Sequence, residues 1–555
     1  MLAAVVLMSP GLPLIAQENN TYIQHAVRFA VSPPLRELAK LPQRPLYGFH
    51  IAEPARRIPR PDFTPAVDPV EQRSAPNDGT NYSIGLNLLG LGNGFPNFTV
   101  PYAAPDTNMA VGDSQVVQWV NIFYTVCSKT TAECGEAIAG NTLWSSLGGN
   151  CAAYNDIDIT AQWDVPAHRW LLSQPAYEGG YAICVAVSTS SDATGSYYLY
   201  EFPVVNGGFP DYPKWGNWPP NQWAQTWNNF GTYGNDWMGP VLCIYDRPKL
   251  LDGDRTAEQI CHQYPITDTS LLPADTDSRI QPPAGEAQFA IGSLLASGNS
   301  KISLYTAQVN NPADWSMGAT FTGDNNSQTI TVAPYNIACA YPTPCVPQKG
   351  ITDVLEGLGD RLMYRFAYWA DQPPPNVTAT PPLPAPAQHW LTNHTVVTSS
   401  GNAAIRWYEF TAPLRAVPVT SLNVFQQGTY SPDGTWRWMG SIARDKVGDI
   451  LVGYSKSCGD SCPGGTPTYP SVFLAGRKVN DPLGLGQLEA ETMAVAGTGS
   501  QPDTGNRWGD YSAMRLDTND GMDGCTFWFT QEFYQVTQAT DWSTQITSAK
   551  FSNCN

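Results

Sequence analysis

The stretch WRWMGSIARD at 436–445 decides the fold, because related openings stand at three other places: HRWLLSQPAY from His168, DRLMYRFAYWA from Asp360 and NRWGDYSAMRLD from Asn506. Each opening leads into two further β-type runs. After Arg169 come YAICVAVSTS and GSYYLYEFPV; after Arg361, HWLTNHTVV and AAIRWYEFTA; after Arg437, DILVGYSKS and PSVFLAGRKV; after Arg507, CTFWFTQEFY and TQITSAKFS. Three or four strands per unit, at a period of roughly 45 to 70 residues, is the pattern of stacked blades, because a small antiparallel sheet needs a neighbour on each face to bury its side chains. Three less regular units fill the gaps: PDTNMAVGDSQVVQWVNIFYTV at 105–126, DYPKWGNW through GPVLCIYDR at 211–247, and EAQFAIGS with KISLYTAQV at 286–309. The expectation is an all-β chain, a seven-bladed β-propeller with an irregular N-terminal leader. A pair of β-sandwiches explains the repeated opening less well.

Composition agrees. Of the 555 residues only 14% are charged, while Gly and Pro number 48 each and aromatics make up 11%, a balance that suits turns and short strands. The net charge of −18 would repel nucleic acid and anionic membrane surfaces, so no nucleic-acid partner is expected. Residues 1–16 read as a signal peptide that lacks the usual Lys/Arg start, and 17–80 as a Pro/Arg-rich leader or linker. The repeats occupy 81–555, with the Pro-rich run DQPPPNVTATPPLPAPAQ at 371–388 as a loop inside one blade. No other apolar stretch is long enough to span a bilayer.

The twelve cysteines fall as near neighbours along the chain: Cys127 with Cys134, Cys151 with Cys184, Cys243 with Cys261, Cys339 with Cys345, Cys458 with Cys462, and Cys525 with Cys554. They read as six local disulfides, which predicts a secreted, periplasmic or cell-surface protein, although spacing alone does not prove connectivity. Cys458 and Cys462 also have zinc-like spacing, but no second ligand pair follows.

The stretches PDTNMAVGD at 105, FPDYPKWGNW at 209, DRLMYRFAY at 360, RWMGSIARDKVGDILVGYS at 437 and RWGDYSAMRLD at 507 resemble a group of secreted bacterial β-propeller proteins. These are distantly similar to the sialidase and BNR-repeat superfamily. Ser431-Pro432-Asp433-Gly434-Thr435-Trp436 is a compressed form of the sialidase Asp-box, which is a structural turn and carries no chemistry. The resemblance implies a fold; no motif here fixes the arginine triad or the nucleophile of a sialidase.

Candidate site residues therefore come from the blade openings, because ligands of propellers bind where the central channel opens. Asp106, Asp156, Asp158, Asp211 and Asp510, with Tyr212 and Tyr511, are candidate catalytic groups, since glycoside cleavage needs one protonated and one ionised carboxyl. Arg361, Arg437, Arg507 and Lys214 would grip an acidic sugar. The same residues also read as structural salt bridges between blades. Trp215, Trp218 and Trp223, spaced by Gly-Asn and Pro-Pro as in a turn, would offer exposed indoles on which sugar rings stack, or else would pack between blades.

No cofactor is required by any motif. Ca2+ is the cation that the acidic turns would take, at Asp156 and Asp158 in NDIDIT and at Asp517, Asp520 and Asp523 in LDTNDGMDG. A Ser/His/Asp centre is disfavoured, because there are only six His and no G-x-S-x-G elbow. The expected function is binding of an extracellular carbohydrate or glycoconjugate. Cleavage would make the chain a glycoside hydrolase or polysaccharide lyase, and the alternative is a non-catalytic adhesion or scaffold propeller of the cell envelope.

Overall fold

The computed structural model describes residues 20–43, 58–59, 65–75, 79–100, 104–231, 236–268, 270–293, 300–339, 343–371, 386–414, 418–463, 465–484, 486–502, 505–518 and 524–554. The expected signal segment at 1–16 lies outside them. So does most of the Pro-rich run at 371–388, which links strand Met363–Ala370 to its hairpin partner Ala387–Val397. The described chain is nearly all strand and loop, with short helices such as Arg247–Asp252, and no helix among the described residues is long and apolar enough to cross a membrane.

The strands form antiparallel meanders that follow one another along the chain. Their first strands are Thr107–Val111, Thr160–Asp164, Phe209–Trp218, Leu271–Thr276, Met363–Ala370, Trp436–Arg444 and Ala513–Asp517. Each lies beside the first strand of the next meander, and Ala513–Asp517 lies beside Thr107–Val111. Two meanders merge into one larger sheet where Ala274, Asp275 and Thr276 pair in parallel with Phe366, Ala367 and Tyr368.

The last meander is completed from the other end of the chain, by pairing of Tyr82–Leu89 with Trp542–Phe551. Parts of the segment read as leader also join sheets: Thr21–His25 pairs with Glu258–Gln263, and Arg28–Val31 with Tyr197–Pro203.

Three of the four repeated openings do begin first strands. The one at His168 does not: it enters Arg169–Ala176, the second strand of a meander whose first is Thr160–Asp164. The reason is burial. Strands such as Thr160–Asp164 and Gln222–Phe230 are buried at every position, since each sheet is covered on both faces, and the apolar alternation that marks a half-exposed strand is lost.

The six disulfides form as the neighbouring pairs, with no free cysteine, which fits a chain that matured in an oxidising compartment. Where the first strands meet, polar side chains fill the centre. Arg365 donates to Asp275 (2.7 Å) and Asp277 (2.7 Å), and Arg515 donates to Asp275 (2.6 Å) and to the carbonyls of Met109 (2.8 Å) and Ala161 (3.0 Å). Burial alone would raise Asp275, but the two guanidiniums hold its carboxyl below the usual range. This layer binds first strands of different meanders together.

Candidate functional site

A second polar cluster gathers where the chain turns into the first strands. Asp106 directly precedes Thr107–Val111, Asp158 stands two residues before Thr160–Asp164, and Asp510 stands three before Ala513–Asp517. Asp106 (φ 47°), Asp158 (φ 65°) and Tyr212 (φ 57°) all adopt left-handed backbone, a bend that aspartate tolerates better than tyrosine does. One carboxylate oxygen from each of Asp106, Asp158 and Asp510 lies within 4.8 Å of the other two, and all three residues are buried.

Their partners are specific. Asp106 accepts from the backbone N–H of Asp510 (2.6 Å) and from Asn121 Nδ2 (3.0 Å). Asp158 accepts from the hydroxyls of Tyr511 (2.6 Å) and Tyr177 (2.8 Å). Asp510 is ion-paired to Arg507, which also pairs with Glu356. The Lys214 ammonium sits 3.1 Å from the ring centroid of Tyr212 and 3.6 Å from that of Tyr511, and donates to the carbonyl of Pro213 (3.2 Å). Arg361 is paired to Asp360 (3.0 Å) and lies over the Tyr212 ring.

Burial decides the electrostatics. It raises the carboxyl of Asp106 well above its usual range, helped by the charge of Asp510, and it raises Asp158 in the same way. Burial pushes Glu356 up to about 7 and Glu532 well above the carboxylate range, and it lowers the amine of Lys214 well below its usual value. Several buried polar atoms have no hydrogen-bond partner: Tyr212 OH, Asp156 Oδ1, Glu356 Oε2, both oxygens of Glu532 and one terminal nitrogen of Arg361.

Of the expected site residues, Asp106, Asp158, Asp510, Tyr212, Tyr511, Lys214, Arg361 and Arg507 come together. Asp156 turns aside to accept from the Tyr177 N–H (2.9 Å), and Asp211 is half-buried at the edge. Arg437 is a correction: its fully buried guanidinium is held between Asp433 (2.9 Å) and Glu491 (3.0 Å), so it cannot grip a ligand. The calcium pair Asp156 and Asp158 is not formed by itself, since Asp158 joins Asp106 and Asp510 instead. Asp517 is buried in an ion pair with Lys129 (2.7 Å), while Asp520 and Asp523 lie outside the described residues.

The expected indole platform is overturned. Trp215, Trp218 and Trp223 are 1%, 3% and 0% exposed. They belong to strands Phe209–Trp218 and Gln222–Phe230, and only the cis Pro219-Pro220 hairpin between them is a turn, so the side chains point between sheets. Trp215 packs on Tyr245 and Trp218 on Tyr368, while the Trp223 indole donates to Asp164 (2.7 Å).

Sequence reasoning missed Asn121, Tyr177, Glu356 and Glu532. Glu532 had a legible signal as the one acid in the aromatic run FWFTQEFY; the others lie in loops with no motif. A cavity of about 470 Å3 lies apart from this cluster, beside Trp436 and the loop closed by the Cys458–Cys462 disulfide.

No family model matches the sequence, and no curated protein matches it. Among solved structures, a mutant of AofleA from Arthrobotrys oligospora is similar with a TM-score of 0.32 and 8% identity, over 77% of this chain and 94% of that one. The WD40 domain of SCAP from fission yeast gives 0.33 and 6%, over 85% and 99%. An alpha-L-arabinanase from Penicillium chrysogenum, solved with arabinobiose, gives 0.27 and 12%, over 70% and 91%. All three TM-scores lie below 0.5, so the architecture of this chain rests on its own strand pairing.

Proposed function

We propose that the chain is a secreted, seven-bladed β-propeller that recognises an extracellular carbohydrate or glycoconjugate at the cluster around Asp106, Asp158 and Asp510. The ring is supported by the cyclic adjacency of the first strands and by the closing strand from the N-terminal side. The observation that carries the ligand reading is the mixed set of unpartnered buried polar atoms in that cluster. Tyr212 and Arg361 offer donors, while Glu356 and Glu532 offer acceptors, and a polyhydroxylated ligand satisfies both kinds at once. The three aspartates stand too close for the water-admitting pair of an inverting glycosidase, and each is already engaged by donors of the protein itself, which favours binding over cleavage.

Titration calorimetry with a panel of neutral and acidic polysaccharides, with reducing-end release assayed on the same samples, tests this. The expected result is binding without release, weakened roughly fivefold to tenfold by Tyr212→Phe, the loss of one hydrogen bond. Release would make the chain a glycoside hydrolase or polysaccharide lyase. Silence across the panel overturns the reading in favour of an adhesion or scaffold propeller, which the near-complete burial of the cluster favours.

A further inference from the structure

The cluster holds more buried carboxyl groups than cations. Asp106, Asp158, Asp360, Asp510, Glu356 and Glu532 are all at most 6% exposed, and the cations packed among them are Lys214, Arg361 and Arg507. Arg361 is taken by Asp360, and Arg507 is shared between Glu356 and Asp510. Among the described residues, Asp106, Asp158 and Glu532 form no ion pair. The Lys214 ammonium, which acts on Asp158, is held on two tyrosine rings and two carbonyls, and the charge of Arg507, which reaches Asp106 and Glu532, is already shared between its two partners. Buried carboxylates without compensation are costly, so such a group either keeps protons or acquires a cation.

Two observations point to a cation. The first is geometric: one oxygen from each of Asp106, Asp158 and Asp510 falls within 4.8 Å of the others. Oxygens bound to a single Ca2+ at about 2.4 Å stand at most about 4.8 Å apart, so one such ion can reach all three. The donors are all oxygen, with no His or Cys, as a hard cation requires. The second is Glu532, on strand Thr526–Tyr534, which is fully buried with neither oxygen partnered. It faces the same space as Asp106: a methyl group built on Gly509 would lie 3.1 Å from Asp106 Oδ1 and 3.6 Å from Glu532 Oε2. Asp158 Oδ2 already accepts from the Tyr177 hydroxyl and, at 3.4 Å, from the Tyr212 N–H, while Oδ1 accepts only from Tyr511 and keeps a lone pair free.

We propose that Asp106, Asp158 and Asp510 together hold one divalent cation of the calcium type, with Glu532 adding negative charge behind Asp106. The ion ties the starts of three first strands together and presents its remaining coordination positions to a ligand. The inference shares its location with the glycan reading but does not depend on a glycan being that ligand.

The test uses the full chain, stripped with EDTA and dialysed, then titrated with CaCl2 by calorimetry and by competition against tyrosine-sensitised Tb3+ luminescence. One Ca2+ per chain is expected, with a rise of several degrees in Tm. Affinity should drop at least tenfold in Asp106→Asn and Asp158→Asn, with a smaller loss in Glu532→Gln, whose near-isosteric amide keeps the fold. If the stripped, folded wild type takes up neither ion at millimolar concentration, the carboxyls are compensated by protons and the proposal fails. It also fails if Ca2+ binds but all three variants bind it as the wild type does, because the ion then sits elsewhere. Calcium uptake without polysaccharide binding would sink only the glycan reading.

Discussion

At Gly216 the chain passes so close to its neighbour that a methyl group would lie 2.2 Å from the carbonyl oxygen of Ala274. Both are backbone-fixed positions on adjacent first strands, so Gly216→Ala should cost about 3 kcal/mol or more, read as a lower urea midpoint at unchanged slope. His394 makes a different demand. It is fully buried beside Tyr408 (3.0 Å), and burial, with the nearby Arg406 charge, lowers its imidazole to about 3. The unfolded imidazole titrates near 6.5, so the unfolded chain takes up the proton first and stability falls as pH drops through the window from about 6.5 to about 3. At pH 5 the loss attributable to His394 is about 2 kcal/mol. Comparing the pH dependence of urea unfolding in the wild type and in His394→Gln should show that increment disappear. The acids of the cluster were legible as residues in PDTNMAVGD, NDIDIT and RWGDYSAM, but their meeting was not, because they lie up to 404 positions apart in the chain. The tryptophans misled for a local reason: Gly-Asn and Pro-Pro look like turns, yet Gly216 and Asn217 are strand residues chosen for close packing.

Strands were the most legible elements, since β-branched and aromatic runs bounded by Gly and Pro mark them even when alternation is lost. The order of strands within a meander was less so, and the opening at His168 was placed one strand too early because NDIDITAQWD carries few apolar letters. Thr21–His25 and Arg28–Val31 escape for a different reason, since runs of five and four residues are too short to show a period. A chain beginning at residue 79 should therefore fold with a lowered Tm, since it loses outer edge strands, the buried Leu35 and Leu38 and the Asp68 partner of Arg406, but no first strand. One beginning at residue 91 should lose its cooperative transition, since Tyr82–Leu89 completes the last meander. Differential scanning calorimetry of the two truncations separates these outcomes. The disulfide between Cys151 and Cys184 closes a span of 33 residues, and replacing both with serine should cost about 3 to 4 kcal/mol in the unfolding free energy measured in denaturant.

For the whole molecule, the arrangement explains why charge is scarce yet concentrated. Only 14% of the residues are charged, but buried Asp, Glu, Arg and Lys side chains collect where the first strands meet, in one layer closed by arginine and in another with a surplus of acid. The first layer is fully compensated and holds the meanders together; the second has unpartnered atoms and is where a ligand gains most. The measurement that tests this most directly is an anomalous difference map from crystals soaked in TbCl3. The strongest peak should lie between Asp106, Asp158 and Asp510. Peaks confined to surface carboxylates, in crystals where these three side chains are ordered, would contradict it.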